Sequence, residues 1–148
     1  MSSYKTDSHT HTHTHTYSNS DIPIFTKLYE FYKLLYQYLK LFPKRDRYTL
    51  GEKIDNLTLN IFELVITAGT TSKEYKLPML KKSVVSVDLL KILIRLAKDN
   101  QALDNKKYIQ LEQQLQEIGR MLGGWKRSVK ISLEKQGSTT ERPPKLEL

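Results

Sequence analysis

The chain has 148 residues, no cysteine, and a formal charge of +8 from 24 Lys+Arg against 16 Asp+Glu. That length suffices for one domain that buries a core unaided, and the missing thiols exclude disulfides, thiolate metal sites and cysteine nucleophiles. All four histidines fall at positions 9, 11, 13 and 15, so histidine catalysis and zinc binding are effectively excluded after Tyr17.

Residues 1–20 are rich in Ser, Thr and His, with almost no aliphatic content to offset the entropy of ordering, and read as a disordered tail. The HTHTHTHT tract carries no functional weight, since low complexity or a purification segment explains it. Residues 21–135 hold 21 of the Lys+Arg and 13 of the Asp+Glu, so the whole surplus of +8 sits on the expected folded part. A field of that sign favours polyanions, nucleic acid first among them; a merely well-solvated surface is the plain alternative.

The first helix opens after Asp21, with Pro23 near its first turn, and places Phe25, Leu28, Phe31, Tyr32, Leu35, Leu39 and Phe42 on one face before Pro43 stops it. The second begins at TLGE, where Thr49 and Glu52 have capping-box spacing. Its stripe runs Leu50, Ile54, Leu57, Ile61, Leu64, Val65 and Ala68, with Gly69 as a left-handed stop.

The third helix is expected from about Pro78, with Leu80, Val84, Val87, Leu90, Ile94 and Ala97 on one line and Leu89, Leu93 and Leu96 on another. Two apolar lines imply burial on two sides, more than one bundle core requires. The fourth begins near Asp104 and sets Tyr108, Leu111, Leu115, Ile118, Leu122, Trp125 and Val129 at steps of three and four, the seam of a helix packed at a shallow angle. Short links between helices of this length predict an all-α fold, an antiparallel up-down-up-down four-helix bundle over 21–135. Residues 136–148, with Pro143 and Pro144, read as a second disordered tail. No apolar run reaches about 18 residues and no leader-like segment opens the chain, so the expectation is a soluble intracellular protein without a membrane partner.

Three glycines and the chain's single tryptophan interrupt the fourth helix in EIGRMLGGWKR. Each interior glycine costs roughly 0.5–1 kcal/mol relative to alanine. Gly119 and Gly123, one turn apart, are expected to open a groove that a neighbouring helix enters; Gly124 leaves room beside Trp125. Trp125 is either a core residue on the seam or the anchor of a subunit or partner interface.

The run EIGRMLGGW with its KKYIQLEQQLQ lead-in, the FPKRDRYTLGEKI link and the ELVITAG ending together resemble the accessory variability determinant (Avd) proteins of diversity-generating retroelements, over roughly Ile22 to Val129. Bundles encoded in ribosomal RNA intervening sequences share EIGRML but usually not the following GGW, so Gly124 and Trp125 favour the first family. The resemblance implies a homopentamer of four-helix bundles, cytoplasmic and of bacterial or phage origin. It further implies binding to a reverse transcriptase and its template RNA, or the RNA/cDNA hybrid, in support of mutagenic cDNA synthesis and retrohoming. It implies no catalytic role and no cofactor. The other reading is a structural, self-associating bundle of the intervening-sequence type with only non-specific nucleic-acid binding.

The residues themselves also argue against an enzyme. Glu52 and Asp55 are the nearest thing to a carboxylate pair, and capping and an ion pair with a lysine explain them; no metal-ligand spacing or phosphate loop is present. Nucleic-acid contact would be mainly phosphate neutralisation. The expected contacts are Lys44, Arg45 and Arg47 in the first loop, Arg95 and Lys98 late in the third helix, and Lys126, Arg127 and Lys130 after the tryptophan, gathered on one rim. The cluster Lys73 to Lys82 is expected at the opposite end. Arg120 is expected either to pair with Glu117 or Glu112 or to meet RNA or a partner.

Overall fold

The computed structural model describes residues 21–140. The elements are α1 (Asp21–Leu39), α2 (Lys44–Asp46), a π-helical segment (Arg47–Gly51), α3 (Glu52–Thr70), α4 (Lys73–Asp99) and α5 (Asn105–Thr140). The described residues are all-helical, with four long helices and no strand, and they pack as a helical bundle. Contacts link α1 to α3, α3 to α4, α4 to α5, and α5 back to α1.

Apolar residues at steps of three and four turn one stripe of each helix inward. Ile24, Leu28, Phe31 and Leu35 do so on α1; Ile54, Ile61, Val65 and Ala68 on α3; Leu80, Val87, Leu90, Ile94 and Ala97 on α4; and Leu111, Leu115, Ile118 and Leu122 on α5. Two polar residues share this core, and each satisfies itself: Thr58 Oγ1 donates to the Ile54 carbonyl and Ser83 Oγ to that of Leu80, both at 2.8 Å. Phe25, expected inside, is 41% exposed and lies edge-on to Phe62 at 5.9 Å, while Ile24 takes the buried position.

Several helix ends differ from the sequence expectation. Thr49 is not a cap. The chain is already helical from Lys44 onward, so the Thr49 hydroxyl donates backwards to the Arg45 carbonyl at 3.1 Å and α3 begins with no side-chain cap. Gly69 is not a left-handed stop either: no glycine among the described residues has positive φ, and α3 runs through it to Thr70. The link to α4 is only Thr71 and Ser72. The Ser72 carbonyl accepts from the amides of Tyr75 (3.1 Å) and Lys76 (2.9 Å), so Lys73–Leu77 are helical and Pro78 lies inside α4.

The left-handed residue is Gln101, with φ 63°. Its neighbours complete a Schellman end to α4: the Ala102 amide donates to the Ala97 carbonyl (2.9 Å) and the Gln101 amide to that of Lys98 (3.0 Å). Asp104 caps α5 as its type predicts, accepting the Lys107 amide at 2.8 Å. Helix α5 continues through 136–140, residues placed in the tail by their composition. Good helix formers around Glu134 and Lys135 carry it on, and Ser138 Oγ donates to the Glu134 carbonyl at 3.0 Å. The expected tails at 1–20 and 141–148 lie outside the described residues.

Candidate nucleic-acid interface

Basic side chains cluster at both ends of the bundle, and the group expected on one rim is split between them. At the first end, Lys44 and Arg45 project from α2, and Arg47 donates to the Lys40 carbonyl at 2.9 Å, bracing the turn behind α1. Near this end the last turn of α4 meets the start of α5, where Lys98 Nζ lies 4.8 Å from the Tyr108 ring centre. Lys107 Nζ approaches the Tyr38 ring at 5.7 Å, and the Tyr38 hydroxyl donates to Gln110 Oε1. Arg95 pairs with Asp99 on its own helix at 3.8 Å.

Lys126, Arg127 and Lys130 do not join that group. The second half of α5 meets the start of α4: Lys73 Nζ donates to Ser132 Oγ at 2.8 Å, and Lys76 Nζ sits 5.6 Å from the Trp125 ring centre. The Lys126–Lys130 group therefore shares its end with Lys73 and Lys76. The group expected on one rim is divided, with Lys126, Arg127 and Lys130 at the end expected for the Lys73 to Lys82 cluster alone.

Arg120 makes no ion pair among the described residues. Glu117 instead pairs with Lys27 of α1 at 3.3 Å, and Glu112 accepts from Gln116 at 2.8 Å. Asp55 likewise has no lysine partner; it accepts the Tyr32 hydroxyl at 2.9 Å. Burial first, and that hydrogen bond second, push the Tyr32 phenol up to about 12.

The glycines divide. A side chain at Gly119 would meet Lys91 Nζ at 3.3 Å and Val87 Cγ1 at 3.8 Å, so α4 does come close there. At Gly123 and Gly124 a Cβ would meet nothing within 4 Å, so none of the described helices fills the expected second half of the groove. The half-buried Trp125 packs against the edge of the core. Beside it opens a cleft of about 560 Å³ between the starts of α1 and α4 and the second half of α5, lined by Lys73, Lys76, Arg120 and Gly124 among others.

Two further features escaped the sequence reading. Tyr29 and Tyr36 stand exposed on α1, each with a lysine one turn later over its ring: Lys33 at 5.8 Å and Lys40 at 4.5 Å. Their i,i+4 spacing was the available signal. On α4 the outward apolar line is Val85, Leu89, Ile92 and Leu96, between 40% and 67% exposed, rather than the Leu89, Leu93, Leu96 line expected; Leu93 packs partly inward.

Among the described residues no group of three His, Cys, Asp or Glu side chains is placed to hold a metal ion, and no helix is long and apolar enough to cross a membrane. No curated protein matches the chain. The model of the bAvd-like family matches residues 23–129, which takes in most of the helical bundle and, but for Lys130, both basic ends, and the chain belongs to that family.

Proposed function

We propose that the protein is a non-catalytic accessory subunit of a diversity-generating retroelement, binding the reverse transcriptase and its template RNA during mutagenic cDNA synthesis in the cytoplasm. The observation that carries this reading is the family match over residues 23–129. The surplus of +8 on the folded part supports it, since cations at both ends of a helical rod suit a phosphate backbone that spans more than one end.

The bundle in this reading is antiparallel, up-down-up-down. Cross-helix pairs support that sense, because their numbers run in opposite order: Lys27 meets Glu117 while Tyr38 meets Gln110, and Lys73 meets Ser132 while Lys91 meets Gln116. Several copies assemble, in the manner of the pentamers that the resemblance implies. The exposed Val85, Leu89, Ile92 and Leu96 line supports assembly, because a continuous apolar row on an outer helix face calls for cover.

The test is recovery of the protein from cells carrying the retroelement, with its companions identified by mass spectrometry and RNA sequencing. The expected result is a reverse transcriptase with one abundant noncoding RNA. Protein accompanied only by scattered, salt-removable RNA would replace this reading with a self-associating structural bundle.

A further inference from the structure

We infer that the cleft beside Trp125 is a binding site for one nucleotide unit, its base stacked on the indole and its phosphate held by Lys73, Lys76 and Arg120. This rests on the RNA-binding reading above and locates a contact within it.

The charge pattern comes first. Three cationic side chains line one space of about 560 Å³, and among the described residues no Asp or Glu lines it. None of the three forms a salt bridge among the described residues; Lys73 Nζ donates to the Ser132 hydroxyl, and the neighbouring Glu74 carboxyl is held below its ordinary range by a backbone hydrogen bond first, with help from the Lys73 charge. Like charges facing a shared cleft repel one another, and a phosphate group, with several acceptor oxygens, relieves that repulsion.

The second observation is the aromatic plane. The Trp125 indole is half-buried and thus held in place, and Lys76 Nζ lies 5.6 Å from its centre. A fixed ring beside a cation cluster matches both halves of a nucleotide, the base by stacking and the phosphate by charge. An acidic peptide would use the cations and leave the ring idle.

The third is the space. Gly124 lines the cleft, and a Cβ there would meet no atom within 4 Å. Any larger side chain would project into open space at the cleft wall, which gives a reason for a helix to accept glycine next to its tryptophan. The volume falls within the roughly 300–1,000 Å³ of small-molecule sites.

Trp125 is the chain's single tryptophan, so its fluorescence reports on the cleft alone. The full chain would be titrated with adenosine monophosphate and, separately, with a single-stranded hexa-adenylate RNA, with its mass followed by light scattering. Quenching is expected, with inorganic phosphate competing. Arg120→Gln and Lys76→Gln should each weaken the response about tenfold, and Gly124→Leu should abolish it at unchanged helicity. A response to both ligands identifies a site for free nucleotides; a response to the hexamer alone identifies a strand-bound unit; either supports the proposal.

Silence with both ligands, or wild-type affinity in Arg120→Gln and Gly124→Leu, overturns it. So does a fluorescence change that follows protein concentration and mass instead of nucleotide, because a second copy would then occupy the cleft. Retroelement RNA bound with Trp125 silent removes the cleft and leaves the RNA-binding reading standing. Quenching by nucleotide in a protein that binds neither that RNA nor the reverse transcriptase does the reverse.

Discussion

The Tyr32 hydroxyl donates to Asp55 Oδ1 at 2.9 Å and ties α1 to α3 beside the core. The phenol, raised from 10.0 to about 12, keeps its proton in the fold after the unfolded chain has lost it. A folded pKa above the unfolded one contributes stability that is fully present below pH 10 and is lost as pH rises from there to about 12. Tyr32→Phe should cost about 1 kcal/mol near neutrality. Urea unfolding of both proteins between pH 8 and pH 12 should show the gap closing at the alkaline end; a constant gap would mean the hydrogen bond is not the cause.

Glycine-to-alanine exchange should have opposite signs at two positions. Gly51 is buried, and a Cβ there would stand 3.2 Å from the Asp46 carbonyl oxygen and 3.3 Å from Phe42 Cδ2, of which the first is backbone that yields little. Gly51→Ala should destabilise by roughly 1–3 kcal/mol. At Gly123 the space is open, so Gly123→Ala should stabilise by roughly 0.5–1 kcal/mol through helix propensity alone. Denaturant midpoints settle both signs, and an unstable Gly123→Ala of reduced mass would show that an assembly contact fills that space.

Gln101 holds φ 63° without being glycine, at roughly 1–2 kcal/mol. Gln101→Gly should recover about 1 kcal/mol of stability at the end of α4. Thermal unfolding would read this as a rise in Tm, and no rise would indicate that the Gln101 side chain compensates.

The outer line of α4 gives a prediction about mass. Ile92 is 62% exposed and Val85 67%, so Val85→Glu with Ile92→Glu should leave the core and the helicity untouched while reducing the assembled mass measured by light scattering. Unchanged mass would place the assembly contact on another face.

Salt dependence separates the two basic ends. Replacing Lys126, Arg127 and Lys130 with Gln should lower the slope of log affinity against log salt by roughly 0.7 per lost phosphate contact on a single strand. Lys44→Gln with Arg45→Gln tests the other end by itself. An additive loss is expected if one RNA spans both ends, and no change in slope from one pair would confine binding to the opposite end.

The inward stripes were legible because their spacing is a local property: Leu111, Leu115, Ile118 and Leu122 repeat at steps that only a helix face satisfies, and all four are buried. The start of the fourth helix near Asp104 was legible for the same reason. Thr49 and Glu52 have capping-box spacing too, but spacing does not reveal that the preceding residues are already helical, which removes the extended backbone a cap needs. Pro78 misled because proline favours a first turn, whereas Ser72 starts the helix six residues earlier through its carbonyl. The placement of Lys126–Lys130 with Lys73 and Lys76 depends on the direction in which α5 leaves the bundle, a global property. No local pattern around Trp125 announces that the start of another helix will meet it.

The π-helical stretch Arg47–Gly51 carries about one residue more than an α-turn would. On a helix one residue is about 100° of rotation. That surplus sets the phase between α2 and α3: Ile54 on α3 is fully buried while Lys44 and Arg45 on α2 stay exposed. A single deletion between 47 and 51 would therefore act as a phase error and not as a shortening, turning the Lys44 and Arg45 face by about 100° relative to the Ile54 face. The joint couples the direction in which the charges face to the completeness of the core.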